Sequence, residues 1–269
     1  MPHGDETMSN AALHVARTGL DAQNTKMRVI ANNLANVNTT GFKRDRADFE
    51  TLAYQQMVAA GANSDTENRF ATGLNLGSGV SVQGTSKINT QGTLQETGNA
   101  LDMAIEGSGY FQVQRPDGST AYTRAGNFSV TAEGNVVTSD GLPLIPQITV
   151  PQGATSVTIG NDGTVSATLQ GETEATQLGQ VELASFMNPS GLQQISNNLL
   201  VETAASGVPQ VGVAGLEGRG TIRSGSLETS NVNIVEELVD MIETQRAYEV
   251  NSKMIKATDE MLQYVNQNM

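Results

Sequence analysis

The chain predicts an α+β fold in which long N- and C-terminal helices pair as a coiled-coil stalk, with a Gly-rich, mainly antiparallel β domain between them. Three observations predict it. Of the 28 glycines, 25 lie between Gly61 and Gly225, and six of the seven prolines lie between Pro116 and Pro209. These residues punctuate turns and disfavour helix interiors, so the ends read as helix and the middle as turn-rich strand. Each end also carries apolar residues spaced by seven, and the middle alternates short apolar runs with turn signals.

At the N-terminal end, Leu13, Leu20, Met27 and Leu34 are seven apart, and Ala16, Gln23, Ile30 and Val37 form a second track three residues on. This pattern draws one narrow stripe along a helix from about 10 to 37, with Ser9 and Asn10 to cap its start and Gly41 beyond its end. Its length would be roughly 40 Å at 1.5 Å per residue. The C-terminal end repeats the design with Ile234, Met241, Tyr248, Ile255 and Leu262, flanked by Val235, Leu238, Ile242, Met254 and Met261. Asn233 with Glu236 fits a capping box, and the helix would run to about 265, near 50 Å. A narrow apolar stripe on a long helix needs a partner. The expected packing sets Leu13, Leu20, Met27, Ile30 and Leu34 against Ile234, Leu238, Met241, Tyr248 and Ile255, with Leu262 continuing the stripe, both within a subunit and between neighbours.

The middle reads as antiparallel β. Val157 and Ile159 alternate with polar residues, Asn161-Asp162-Gly163 turns, and Val165, Ala167 and Leu169 alternate back. Further turns fall at Pro116-Asp117-Gly118, Ala132 to Asn135 and Ser139-Asp140-Gly141, and no βαβ pattern appears. The expected organisation is a helical part over 1–43, an extended arm or linker over 44–84, the β domain over 85–227 and a second helical part over 228–269.

Composition argues against most chemistry. With no Cys and only His3 and His14, the chain lacks thiolate sites and the makings of a zinc site, and no cofactor is expected. A formal charge of −13 does not suit nucleic acid or a polybasic membrane anchor. No apolar run is long enough to span a membrane, and the polar start Met1 to Met8 lacks the regions of a secretory signal. Met8 reads as a start, with residues 1–7 a tag or an upstream start. Gly77-Ser78-Gly79 and Gly107-Ser108-Gly109 have no P-loop Lys and read as turns. The pairs Asp102 with Glu106 and Glu172 with Glu174 would need a shared groove to act as a glycosidase dyad, and the sequons at Asn38 and Asn127 matter only in a secretory context. The abundant Ser and Thr have almost no His to serve as a base. No catalytic or metal residue is therefore assigned.

Longer motifs say more. Ile30 to Lys43, reading IANNLANVNTTGFK, resembles the signature of the bacterial flagellar rod and hook axial proteins. Glu228 to Lys253 resembles the partner motif of that family, and Asp102–Val113 with Ala121–Gly126 are similar to its β domain. The motif residues carried over are Asn32, Asn33, Leu34, Ala35, Asn36, Gly41, Phe42 and Lys43 at one end, and Gln245, Arg246, Ala247 and Tyr248 at the other. The length suits a rod better than a hook subunit, and residues 42–55 with the Gly61–Gly79 stretch are most similar to the distal-rod members. In those members the extra residues after the GFK motif are thought to form an arm that stiffens the rod.

The resemblance implies a non-enzymatic structural subunit in the basal-body rod, exported unfolded by the flagellar type III apparatus without a cleaved signal peptide. It implies a homopolymeric helical tube that carries torque from motor to hook, with proximal rod, hook and P/L ring proteins as partners. A proximal rod or hook subunit is the alternative within the family. Outside it stand a β-rich carbohydrate-active enzyme, which needs two carboxylates facing one groove, and a phage-tail or adhesin protein, which would lack the terminal motifs.

Overall fold

The computed structural model describes residues 4–61, 71–171 and 174–268, without the side chains of 4–12, 262 and 265–268. Two compact units divide the chain. One takes residues 1–34, 45–86 and 234–269, and the other takes 35–44 and 87–233.

The first unit holds helix α1 (Gly4–Ala35), strands β1 (Asp45–Thr51), β2 (Tyr54–Val58), β3 (Leu74–Gly77) and β4 (Val80–Lys87), and, at the far end of the chain, helix α2 (Ile234–Asn268). α1 starts six residues ahead of the expected Asn10, so Ser9 and Asn10 lie within it rather than capping it. The segment read as an extended arm contains two paired ribbons. β1 pairs with β4, β2 pairs antiparallel with β3, and the Leu52 N–H donates to the Gly79 carbonyl at 2.9 Å where the two pairs meet. Gly79 has a φ of +112°, and a Cβ there would fall on Thr18 Oγ1 of α1, so this turn accepts no side chain.

The expected coiled-coil stalk, sealed by apolar residues, is not what the structure shows. Ile234, Val235, Leu238, Val239 and Ile242 of α2 are all exposed, Val235 to 70%, whereas Glu237 and Thr244 are 4% and 1% exposed. Two polar contacts join α2 to α1, on a face of α2 that also carries the half-buried Met241 and Ile255. Asn33 Nδ2 donates to the Glu237 carboxylate at 3.2–3.3 Å, and the Cβ position of Gly19 lies 3.1 Å from Asn251 Nδ2. Glu237, Thr244 and Asn251 are themselves seven apart, and each lies four residues before Met241, Tyr248 or Ile255, so polar and apolar residues alternate along one face of α2.

The second unit is mostly sheet, with one 3-10 turn at Pro189–Gly191. Its strands are β5 (Leu94–Glu96), β6 (Met103–Glu106), β7 (Tyr110–Gln114), β8 (Thr120–Thr123), β9 (Phe128–Val130), β10 (Val136–Thr138), β11 (Leu144–Ile145), β12 (Ala154–Ile159), β13 (Thr164–Leu169), β14 (Thr176–Gln180), β15 (Glu182–Ser185), β16 (Gln193–Gln194), β17 (Leu200–Val201), β18 (Gln210–Val213), β19 (Thr221–Ser224) and β20 (Ser226–Glu228). The largest sheet runs β16-β17-β8-β7-β15-β18, with β11 also on β7, and β12-β13-β14 form a meander. The expected hairpin forms in register, Ile159 opposite Val165 and Val157 opposite Ala167, around Gly163 at a φ of +86°. Phe111, Val113, Ile105, Val181, Leu183 and Ile222 lie at the centre of the core, where Phe111 and Phe128 meet edge to face at 5.2 Å.

Candidate functional site

In the second unit, three of the quoted motifs converge. The chain leaving residue 35 turns at Asn36–Thr39 and enters Gly41-Phe42-Lys43, all buried. Gly41 has a φ of +68°, and a Cβ there would stand 2.6 Å from the backbone of Arg124 and Ala125, so the motif glycine answers both a left-handed backbone and a close approach. Its N–H donates to the Glu228 carbonyl at 2.8 Å. Asn231 closes the same junction: its Oδ1 accepts from the Arg44 N–H at 2.8 Å, and its Nδ2 donates to the Ile88 carbonyl at 2.8 Å.

The charges meet at Glu228, which is 1% exposed. Lys43 Nζ lies 2.6 Å from Oε1 and also donates to the Thr90 carbonyl at 2.8 Å. Arg124 Nη1 lies 3.1 Å from Oε2, and Nη2 donates to the Gly107 carbonyl at 2.6 Å. The Gly92 N–H adds a bond to Oε1 at 2.9 Å. One buried carboxylate thus serves two buried cations. Burial pushes the Lys43 ammonium below its ordinary value, and the Glu228 charge pulls against that shift. The Lys87 ammonium stands 5.4 Å over the Phe42 ring and the Arg124 guanidinium 5.6 Å over Tyr110. This arrangement ties four chain segments together, around residues 41–44, 88–92, 107–125 and 228–231, and holds no nucleophile with a base.

In the first unit, the residues expected to pack the helices separate into two groups. Ile30 is buried, and Leu13, Leu20, Met27 and Leu34 are half-buried. On α2, Met241 and Ile255 are half-buried, Ile234 and Leu238 are exposed, Tyr248 is 37% exposed, and the side chain of Leu262 lies outside the described residues. Of the motif residues, Asn33 is 2% exposed, Leu34 and Asn36 are half-buried, and Asn32 and Ala35 face out; Gln245 and Arg246 are exposed beside a half-buried Ala247. Asn33 exchanges bonds with the Asp45 backbone, Nδ2 donating to its carbonyl and Oδ1 accepting from its N–H, both at 2.9 Å. Sequence reasoning named neither Arg124 and Glu228 as a pair nor Glu237, Thr244 and Asn251 as a line. The first two did lie inside quoted motifs, and the last three share the spacing by seven.

Comparison with known proteins gives the geometry its context. Residues 13–43 match the family described as Flagella basal body rod protein, residues 104–167 the Flagellar hook protein FlgE/F/G D1 domain, and residues 223–268 the Flagellar basal body rod FlgEFG protein C-terminal. The flagellar basal-body rod protein FlgG of Buchnera aphidicola subsp. Acyrthosiphon pisum is 51% identical over 256 residues, covering 95% of this chain and 98% of its own. FlgG of Agrobacterium fabrum is 47% identical, covering 96% and 99%. The flagellar basal-body rod protein FlgF of Caulobacter vibrioides is 35% identical, covering 90% and 92%. The chain therefore belongs to the FlgG family of flagellar basal-body rod proteins and is a structural subunit of the distal rod, not an enzyme.

Proposed function

We propose that copies of this chain polymerise through the outward apolar face of α2 into a helical tube that carries torque from motor to hook. The observation that supports this is the run Ile234–Ile242, which leaves five large apolar residues exposed within nine positions. About half of each side chain is still exposed, so full burial would add about 1 kcal/mol apiece, and a contiguous apolar face of this kind marks an interaction surface. A second copy is the occupant, because a rod is built of repeated subunits. As a member of its family the chain assembles with other rod and hook components. The finer partners of the same reading are proximal rod, hook and P/L ring proteins, with delivery as an unfolded chain through the type III apparatus.

The test is electron microscopy of concentrated full-length protein beside Leu238→Asp. A carboxylate in the covered face has no partner, so the variant should form no tubes while the β domain keeps its melting temperature. Normal tubes from Leu238→Asp would remove α2 as the assembly surface.

A further inference from the structure

Tension carried along the backbone enters the second unit where the chain crosses into it, at 34–35, 44–45, 86–87 and 233–234. Inside that unit, the residues beside three of these crossings meet at one amide. Arg44 borders the crossing at 44–45, Ile88 follows the one at 86–87, and Asn231 precedes the one at 233–234. Asn231 Oδ1 accepts from the Arg44 N–H at 2.8 Å. Its Nδ2 donates to the Ile88 carbonyl at 2.8 Å, and to the Thr90 carbonyl and Oγ1 at 3.1 and 3.0 Å.

Backbone bonds flank the amide. The Ile88 N–H donates to the Arg44 carbonyl at 2.9 Å, and the Asn231 N–H to the Phe42 carbonyl at 3.4 Å. The Thr90 carbonyl also takes the Lys43 ammonium at 2.8 Å, which anchors the group to the buried charges. The chemistry calls for asparagine. Bridging these segments takes one acceptor and two donor hydrogens on a short stem; a carboxylate has no donor and a hydroxyl has one. Segments that leave a sheet singly open one bond at a time under load, whereas segments tied to one another must open together.

We propose that Asn231 is a mechanical clamp, which gathers the crossings so that the second unit takes up tension on several segments at once. It is thereby a positioning residue for load transfer. Its consequence for a torque-bearing tube rests on the assembly reading above; the clamp itself is a property of one subunit.

Because the chain has no Cys, introduced thiols give unique handles for pulling single full-length molecules. One pair, Ala35→Cys with Asn233→Cys, loads the crossings; the other, Ser139→Cys with Val208→Cys, uses exposed positions of the same unit away from them. Lifetimes at constant force are compared with Asn231 and with Asn231→Ala. Several hydrogen bonds go at once, so Asn231→Ala should shorten the lifetime about tenfold or more along the first axis and less than about threefold along the second. Asn231→Asp keeps the acceptor for the Arg44 N–H but cannot donate to Ile88 or Thr90, and should also shorten the first lifetime selectively. Equal shortening along both axes would make Asn231 an ordinary stabilising residue and overturn the clamp, as would an unchanged first lifetime. Failure of Asn231→Ala to fold would overturn it too, by making the residue a requirement of the fold itself. The pulling uses single subunits, so it stands or falls independently of α2 as the assembly surface, which the micrographs of Leu238→Asp decide.

Discussion

At Glu228 one carboxylate balances Lys43 and Arg124, and the arithmetic of that balance can be tested. Glu228→Gln leaves two buried cations without an anion, the arrangement in which breaking a buried pair costs about 3–5 kcal/mol. Lys43→Met leaves Arg124 and Glu228 as a paired couple and keeps the apolar stem, so it should cost less. In the double variant a single cation remains, and its loss should fall short of the sum of the two. Denaturant melts of the four proteins measure this; equal and additive losses would mean that the groups are not coupled. A second prediction concerns Tyr122, whose hydroxyl is pushed up to about 12 by burial first and by the neighbouring Glu202 carboxylate next. The unfolded chain releases this proton near 10, whereas the fold holds it to about 12. Between those values the unfolded state binds fewer protons, so stability falls as pH rises. The melting temperature should decline from pH 10 to 12, and Tyr122→Phe should flatten that decline. An equal decline in the variant would assign the alkaline loss to other groups.

At the scale of elements, what was legible follows from how local its cause is. The hairpin around Asn161-Asp162-Gly163 is written in alternation and in one glycine turn, and β12 and β13 pair in the register those residues set. The terminal helices were legible because Gly and Pro withdraw from the ends of the chain. The face each helix covers was not legible, because it depends on what stands opposite. A period of seven runs through Met241, Tyr248 and Ile255 and also through Glu237, Thr244 and Asn251, four residues ahead of each on the same face of the helix, and hydrophobicity alone named only the apolar track. The partners of the polar track are distant in the chain: the Asn33 amide meets both Glu237 and the Asp45 backbone. Strands β1 to β4 were missed for a related reason. Phe49, Tyr54, Met57, Leu74 and Leu76 are exposed and lack the regular alternation that a half-buried sheet imposes, so their pairing left no period in the sequence.

For the whole molecule, chain order and unit order differ. The chain passes between the two units at residues 34–35, 44–45, 86–87 and 233–234, so residues 45–86 belong with the terminal helices rather than with the β domain that follows them. The β2–β3 ribbon contributes Tyr54, Met57, Leu74 and Leu76 as exposed apolar groups on two strands. A two-stranded ribbon is marginal in water by itself, so these side chains have most to gain where subunits crowd together. That favours the arm as a brace between neighbours in a tube, a role separable from the α2 face. The structure supplies a clean excision. Leu52 and Gly79 already meet through a hydrogen bond of 2.9 Å, so deleting residues 53–78 and joining those two with a short glycine linker leaves β1 and β4 paired. The expected product still polymerises, because α2 is untouched, but its tubes curve, and their persistence length measured from micrographs falls below that of the full chain. Tubes as straight and stiff as those of the full chain would deny the arm its bracing role. No tubes, with the β domain still melting normally, would mean that the arm is needed to form the lattice and not merely to stiffen it.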